Sequence, residues 1–142
     1  MPLPLPRGGR LGLEATIWLP AEPTSAGEAR RFVEDALSRS GQESLAWAAV
    51  LLTSEVVTNA ILHARSATEV HLSAGPGSVT VEVTDDGEGI PDLDPKGEMA
   101  EAGRGLAMVG ALAEEWGVVR TEAGNIVWFR LVTGAGGPRF PS

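Results

Sequence analysis

A carboxylate and a carboxamide stand four residues apart in Ser54-Glu55-Val56-Val57-Thr58-Asn59-Ala60-Ile61-Leu62-His63, a stretch flanked by apolar residues with almost no interruption. On an α-helix that spacing brings them to one face. Glu55 and Asn59 therefore project side by side from a helix composed for burial. Unpaired buried polar groups are costly, so the two either satisfy each other and a neighbouring loop or serve a ligand. In the second case the amide oxygen would bind a cation and the carboxylate would handle a proton. A second set, Asp85-Asp86-Gly87-Glu88-Gly89-Ile90, ends an alternating strand. A carboxylate there can accept a hydrogen bond from an exocyclic amine while the glycines let a flat ligand lie on backbone. An acidic turn with glycines at positive φ accounts for the same residues. The third set is Gly103-Arg104-Gly105-Leu106. If it opens a helix, free N–H groups and the helix dipole make an anion site; if not, the glycines are a hinge.

Other chemistries lack their residues. The chain has no cysteine, which removes disulfides, thiolate catalysis and cysteine-held zinc. Its two histidines, His63 and His71, form no zinc-binding pattern. The only lysine, Lys96, is in no Walker A loop, and a third Rossmann glycine would fall at Met108. The Asp85 loop lacks the twelfth-position Glu of a calcium-binding EF-hand. A net charge of −8 over 142 residues disfavours nucleic acid and anionic membrane surfaces alike. No apolar run is read as approaching the ~18–20 residues of a membrane span. The opening Met1-Pro2-Leu3-Pro4-Leu5-Pro6 lacks the order of a secretion signal, so a cytoplasmic location is expected.

These sets need elements to hold them. Proline and glycine in residues 1–12 predict a flexible arm, and residues 133–142 a flexible tail. Leu13 to Leu19 alternates as a strand that Pro20 ends. Ser25 and Glu28, then Ser40 and Glu43, have capping-box spacing, with Ser40-Gly41 both stopping the first helix and starting the second, and predict helices from Ser25 to about Arg39 and from about Gln42 to Ala64. Val70-Leu72-Ala74 and Val79-Val81-Val83 alternate around Gly75-Pro76-Gly77 and predict an antiparallel hairpin. An irregular polar segment follows, then a helix with Leu106, Val109, Leu112 and Ala113 at helical spacing. A last hairpin turns at Ala123-Gly124-Asn125. Trp18, Trp47, Trp116 and Trp128 are expected in the core, and His63 in a structural contact. Three helices and about five strands without a βαβ repeat give an α+β two-layer sandwich.

The order of the three polar sets is more specific than any one of them. A helix with E-x-x-x-N, a strand ending in D-x-G-x-G and a helix opening with G-x-G-L resemble, in that order, the GHKL (Bergerat-fold) ATP-binding family. The resemblance spans residues 13–132 and is closest to bacterial anti-sigma factor serine-protein kinases and related stand-alone ATP-binding regulators. It implies a mixed, mostly antiparallel sheet covered on one face by three helices. It also implies that Asn59 binds Mg²⁺, that Glu55 is the general base, and that Asp85 holds the adenine amino group beside Gly87, Gly89 and Ile90. Residues 91–102 would be an ATP lid, and Gly103, Arg104, Gly105 and Leu106 would cradle the phosphates. Histidine kinases usually carry Asn or His where this chain has Glu55, so the resemblance favours the serine-kinase branch. The implied partners are an anti-sigma factor antagonist and a sigma factor, and a homodimer is compatible. One departure is Ile126, ahead of Val127-Trp128, where members often have a Thr that approaches a phosphate. It favours an alternative reading, a non-catalytic ATP-binding module that sequesters a partner.

Overall fold

A computed structural model of the chain describes residues 12–86 and 109–133. Five strands form one sheet: β1 (Leu13–Leu19), β2 (Thr68–Gly75), β3 (Ser78–Asp85), β4 (Glu115–Thr121) and β5 (Gly124–Val132). Their spatial order is β1-β2-β3-β5-β4. Every described pairing is antiparallel, so the sheet expected to be mostly antiparallel is wholly so among the described residues. Helices α1 (Ser25–Arg39) and α2 (Ala46–Asn59) and the helical residues 109–112 complete an α+β sandwich. α1 lies over β1 and β2, and α2 over β3 and β5.

Strand alternation decides what the helices cover. In register, Leu72 pairs with Val81 and Val81 with Phe129, while Val70 pairs with Val83 and Val83 with Val127. All six are buried, and they meet Val33 and Leu37 of α1 and Leu52, Val56 and Val57 of α2 in one cluster. Val109 is fully buried in it, with Leu112 and Ala113 packed alongside, as the helical spacing predicted. Burying each such side chain is worth about 1.5–3 kcal/mol, and this common core holds the layers together.

The helix boundaries follow different chemistry from the one expected. α1 starts after Thr24 with no side-chain cap; Ser25 instead donates through Oγ to the Pro20 carbonyl at 2.7 Å. Ser40 and Gly41 close α1 as expected, but Ser40 gives the second helix no side-chain cap. The Gln42 N–H reaches the Leu37 carbonyl (2.8 Å) and the Gly41 N–H the Ser38 carbonyl (3.3 Å), with Gly41 at φ 73°. That pair of bonds is a Schellman motif, which needs a left-handed residue at Gly41. The second helix then begins as a 3-10 turn, Glu43–Leu45, continues as α2 and ends in a π-helical turn, Ala60–Ala64.

Two further expectations change. Glu43–Leu62 is long and apolar enough to cross a membrane by length and composition, although no such run was read from the sequence. Ala49, Leu52, Val56 and Val57 within it face the core, which accounts for its apolarity. Trp18 and Trp47 are 64% and 65% exposed rather than buried: Trp18 alternates onto the uncovered side of the sheet and Trp47 sits in the first turn of α2. Trp116 is half-buried against the core. Trp128 is buried, but on the sheet face away from the helices. The predicted arm and tail fall almost wholly outside the described residues, and the His63 contact falls outside them too.

Candidate functional site

α2 carries Glu55 and Asn59 at the edge of its buried stripe, both half-buried. At 3.6 residues per turn, Ser54 falls on one flank of that stripe and Glu55 and Asn59 on the other. Arg30 of α1 donates through Nη1 to Ser54 Oγ at 3.1 Å. The contact marks the Ser54 flank as the one toward α1 and turns Glu55 and Asn59 away from it. Asn59 is the last α-helical residue before the π-helical turn, a distortion frequent at functional sites. Arg65 then takes a left-handed φ of 51° and turns the chain toward β2.

The second part lies where the sheet's core-facing alternation stops being apolar. Val79, Val81 and Val83 face the helices, so Asp85 does too. Thr68 precedes Val70 in the same way, and Asn125 precedes Val127. In register Thr68 pairs with Asp85 and Asp85 with Asn125. Three neighbouring strands thus end in one polar row, Thr68-Asp85-Asn125, 1%, 7% and 4% exposed. Asn125 donates through Nδ2 to Asp85 Oδ1 at 3.4 Å. Thr68 Oγ1 is buried with no hydrogen-bond partner among the described residues, a condition that costs about 1–3 kcal/mol unless something else meets it. Backbones close up at the same point: a Cβ on Gly124 (φ 143°) would lie 1.8 Å from the Asp85 carbonyl oxygen.

Ser66 joins the two parts. Its N–H donates to the Ala60 carbonyl at 3.3 Å, one residue past Asn59. Its Oγ hydrogen-bonds the Asp86 carboxylate and accepts the Asp86 backbone N–H at 2.8 Å. The helix terminus carrying Asn59 and the strand end carrying Asp85 are fastened through one buried serine.

Of the residues singled out in sequence, Glu55, Asn59 and Asp85 therefore lie at related places in the fold. Gly87, Gly89, Ile90, Gly103, Arg104, Gly105 and Leu106, and the lid expected at 91–102, lie outside the described residues. Ile126 is corrected. It pairs with Thr84 and Val119 and so alternates onto the uncovered face, away from Asp85. The polar residue on the site side is its neighbour Asn125. Sequence reading passed over Asn125, Thr68 and Ser66, and strand parity was the available signal for the first two.

A model of the histidine kinase-like ATPase domain matches residues 19–131, most of the chain and both parts of the site. The chain belongs to the histidine kinase-like ATPase domain family. Membership implies ATP as the ligand and kinase-like or ATPase chemistry at coarse grain. No curated protein matches this ATPase domain. Among solved structures it is similar to the RsbU and RsbW domains of Rv1364c from Mycobacterium tuberculosis, with TM-score 0.65 and 24% identity, covering 84% of this chain and 32% of that one. It is also similar to the histidine kinase domain of the EL346 blue-light activated histidine kinase of Erythrobacter litoralis, with TM-score 0.51 and 25% identity over 77% of this chain and 59% of that one. A second structure of that kinase matches with TM-score 0.51 and 23% identity, over 80% and 42%. The ATPase domain thus spans between about a third and three-fifths of these three solved chains.

Proposed function

We propose that the chain is a cytoplasmic, Mg²⁺-dependent ATP-binding regulator that phosphorylates a serine or threonine on a partner protein. The partner would be an anti-sigma factor antagonist, and phosphorylation would decide whether that antagonist or a sigma factor is held. The observation that carries this reading is the Ser66 link between the Asn59 helix terminus and the Thr68-Asp85-Asn125 row. It holds a candidate phosphate-and-metal end and a candidate base-reading end as one unit. Fold likeness to a chain with an RsbW domain supports the regulatory part, and the acidic net charge of −8 suits a basic patch on a sigma factor.

In this reading Asp85 accepts a hydrogen bond from the adenine amino group. The Thr68 hydroxyl beside it, without a partner among the described residues, fits a site completed by a ligand. Asn59 offers an amide oxygen, a hard donor suited to Mg²⁺. Among the described residues no three metal-ligating side chains cluster, so phosphates and water would supply the remaining ligands. When bound, the cation would offset charge on the phosphates. Glu55, one helical turn before Asn59, takes the proton of the attacking hydroxyl.

The test has two stages. Calorimetry should give saturable ATP binding that strengthens with Mg²⁺ and is abolished in Asp85→Asn. Labelled phosphate should then pass from ATP to a purified antagonist, with at least a hundredfold loss in Glu55→Gln. The alternative, a sequestering module without phosphotransfer, drew its support from Ile126, which lies on the other face of the sheet. It would be revived by a Glu55→Gln protein that regulates its partner as well as the wild type does.

A further inference from the structure

We infer that the uncovered face of the sheet is a docking surface for a basic segment of a partner protein, whose central arginine or lysine side chain ends on the Glu82 carboxylate. The inference goes beyond the nucleotide reading. It concerns the face turned away from the Thr68-Asp85-Asn125 row and needs no ATP.

Alternation fixes what this face presents. Val79, Val81 and Val83 of β3 belong to the core under the helices, so Glu82 faces the other way. In register it lies between His71 and Trp128. Buried carboxylates are ordinarily paired and hydrogen-bonded. Glu82 is 8% exposed, and its Oε1 is buried with no hydrogen-bond partner among the described residues.

The groups around it do not fill the gap. His71 is engaged by Thr16 Oγ1 at 2.8 Å and Ser73 Oγ at 3.3 Å. Arg130 shares the face, yet the ion pairs among the described residues are Arg39 with Asp35 and His71 with Glu14. The Trp128 indole leans over Gly117 on β4, away from β3. Burial accordingly pushes the Glu82 carboxyl above its ordinary range, with His71 drawing it back and Glu14 adding to the rise. An acceptor in that condition calls for a donor that brings positive charge.

The rest of the face says which donor. Among the described residues no three metal-ligating side chains cluster, so Glu82, His71 and Glu14 are not a metal site. Glu14 on β1, Glu69 on β2 and Glu115 on β4 are exposed on the same side. With Glu82 they set four carboxylates against Arg130 and His71. From β1 to β4 the sheet order spans roughly 19 Å at about 4.8 Å per strand. A small cation cannot bridge that distance, whereas about six extended residues can. Trp18, 64% exposed at the β1 edge, adds a ring on which a guanidinium stacks. A basic chain segment meets all of these at once.

The probe is an amidated peptide of six arginines, titrated into the full chain by calorimetry, with argininamide as the small-cation control. The peptide should bind at one saturable site, at least a hundredfold more tightly than argininamide. Glu82→Gln keeps the shape of the side chain and should weaken the peptide about tenfold. Glu43→Gln, at an exposed carboxylate on the helical side, should change it by less than about twofold. Arginine does not titrate in this range, so any proton released on binding comes from the protein. The wild-type heat should therefore vary with the ionisation enthalpy of the buffer, and that variation should shrink in Glu82→Gln. Equal weakening in Glu82→Gln and Glu43→Gln overturns the proposal, since that is attraction by net charge alone. So does argininamide that binds as well as the peptide, or a peptide that never saturates. A chain that sediments as a dimer, falls apart in Trp18→Asp and takes up no peptide overturns it as well, because the face then belongs to a second copy.

Discussion

The two faces of the sheet carry polar residues in opposite ways. On the covered face they are confined to one row, Thr68-Asp85-Asn125, at one end of apolar rows. On the uncovered face they are spread through its middle. His71 accepts or donates at Thr16 Oγ1 (2.8 Å) and Ser73 Oγ (3.3 Å) and lies 3.6 Å from Glu14. Glu82 sits between His71 and Trp128 in register. Burial pushes its carboxyl above the ordinary range, His71 draws it back and Glu14 adds to the rise. Concentration at one end, with backbones in contact and a serine fastening the helix to it, distinguishes the row from the dispersed polar residues of the other face, several of which (Ser73, Thr80 and Glu82) are buried too.

The sharpest test of that contrast is a matched pair of glycines. Gly124→Ala, next to the row, puts a methyl into the Asp85 backbone, which cannot move aside. It should cost about 4 kcal/mol in urea unfolding and remove ATP binding. Gly117→Ala, away from the row, meets the Trp128 indole first, at 2.9 Å. A side chain can shift, so the cost should be about 1–2 kcal/mol with ATP affinity unchanged. Equal losses in both would erase the distinction.

A smaller effect is expected at the fastening. Ser66→Ala deletes both side-chain bonds to Asp86 and should lower stability by about 1–2 kcal/mol. ATP affinity should fall about tenfold, because the Asp85 end is no longer held against the helix terminus. Stability loss without affinity loss would mean the two parts of the site act separately.

The uncovered face should respond to pH rather than to nucleotide. Glu82 has its folded pKa raised above the ordinary 4.5, so the folded state binds that proton more tightly. Its stabilising contribution is complete below the unfolded pKa and is lost as pH rises through the folded one. Glu82→Gln should therefore melt higher than wild type at pH 7–8, by roughly 2–4 °C, with the gap closing toward pH 4. A gap that widened in acid would contradict the burial of Glu82. Least of all, Trp18→Thr at an exposed position should change stability by under about 0.5 kcal/mol.

Much of this was readable in the sequence because periodicity is a local property. β1 and α1 lie where alternation and helical spacing placed them, and Glu55 and Asn59 share a helix flank because of their spacing. Parity would also have put Asp85, Thr68 and Asn125 on one side. Making them neighbours, however, needs the strand order, which brings β5 rather than β4 beside β3. The same omission gave Ile126 a role that its face denies it. The capping boxes failed for another reason: Ser25 found a better acceptor in the Pro20 carbonyl, and Ser40 was taken by the Schellman turn. Ser66 carried no signal at all, since the partners that fasten the site, Ala60 and Asp86, are 6 and 20 residues away in sequence.

The unequal tryptophans give the molecule its own optical label. The chain has four tryptophans and no tyrosine, so its ultraviolet emission is indole alone. Trp18 and Trp47 stand in water while Trp128 is buried against Gly117. Acrylamide should quench the red-shifted emission of the first two and spare the blue-shifted remainder. That remainder comes from Trp116 on β4 and Trp128 on β5, the hairpin that also carries Asn125, so events at the row can be followed in real time with no dye attached.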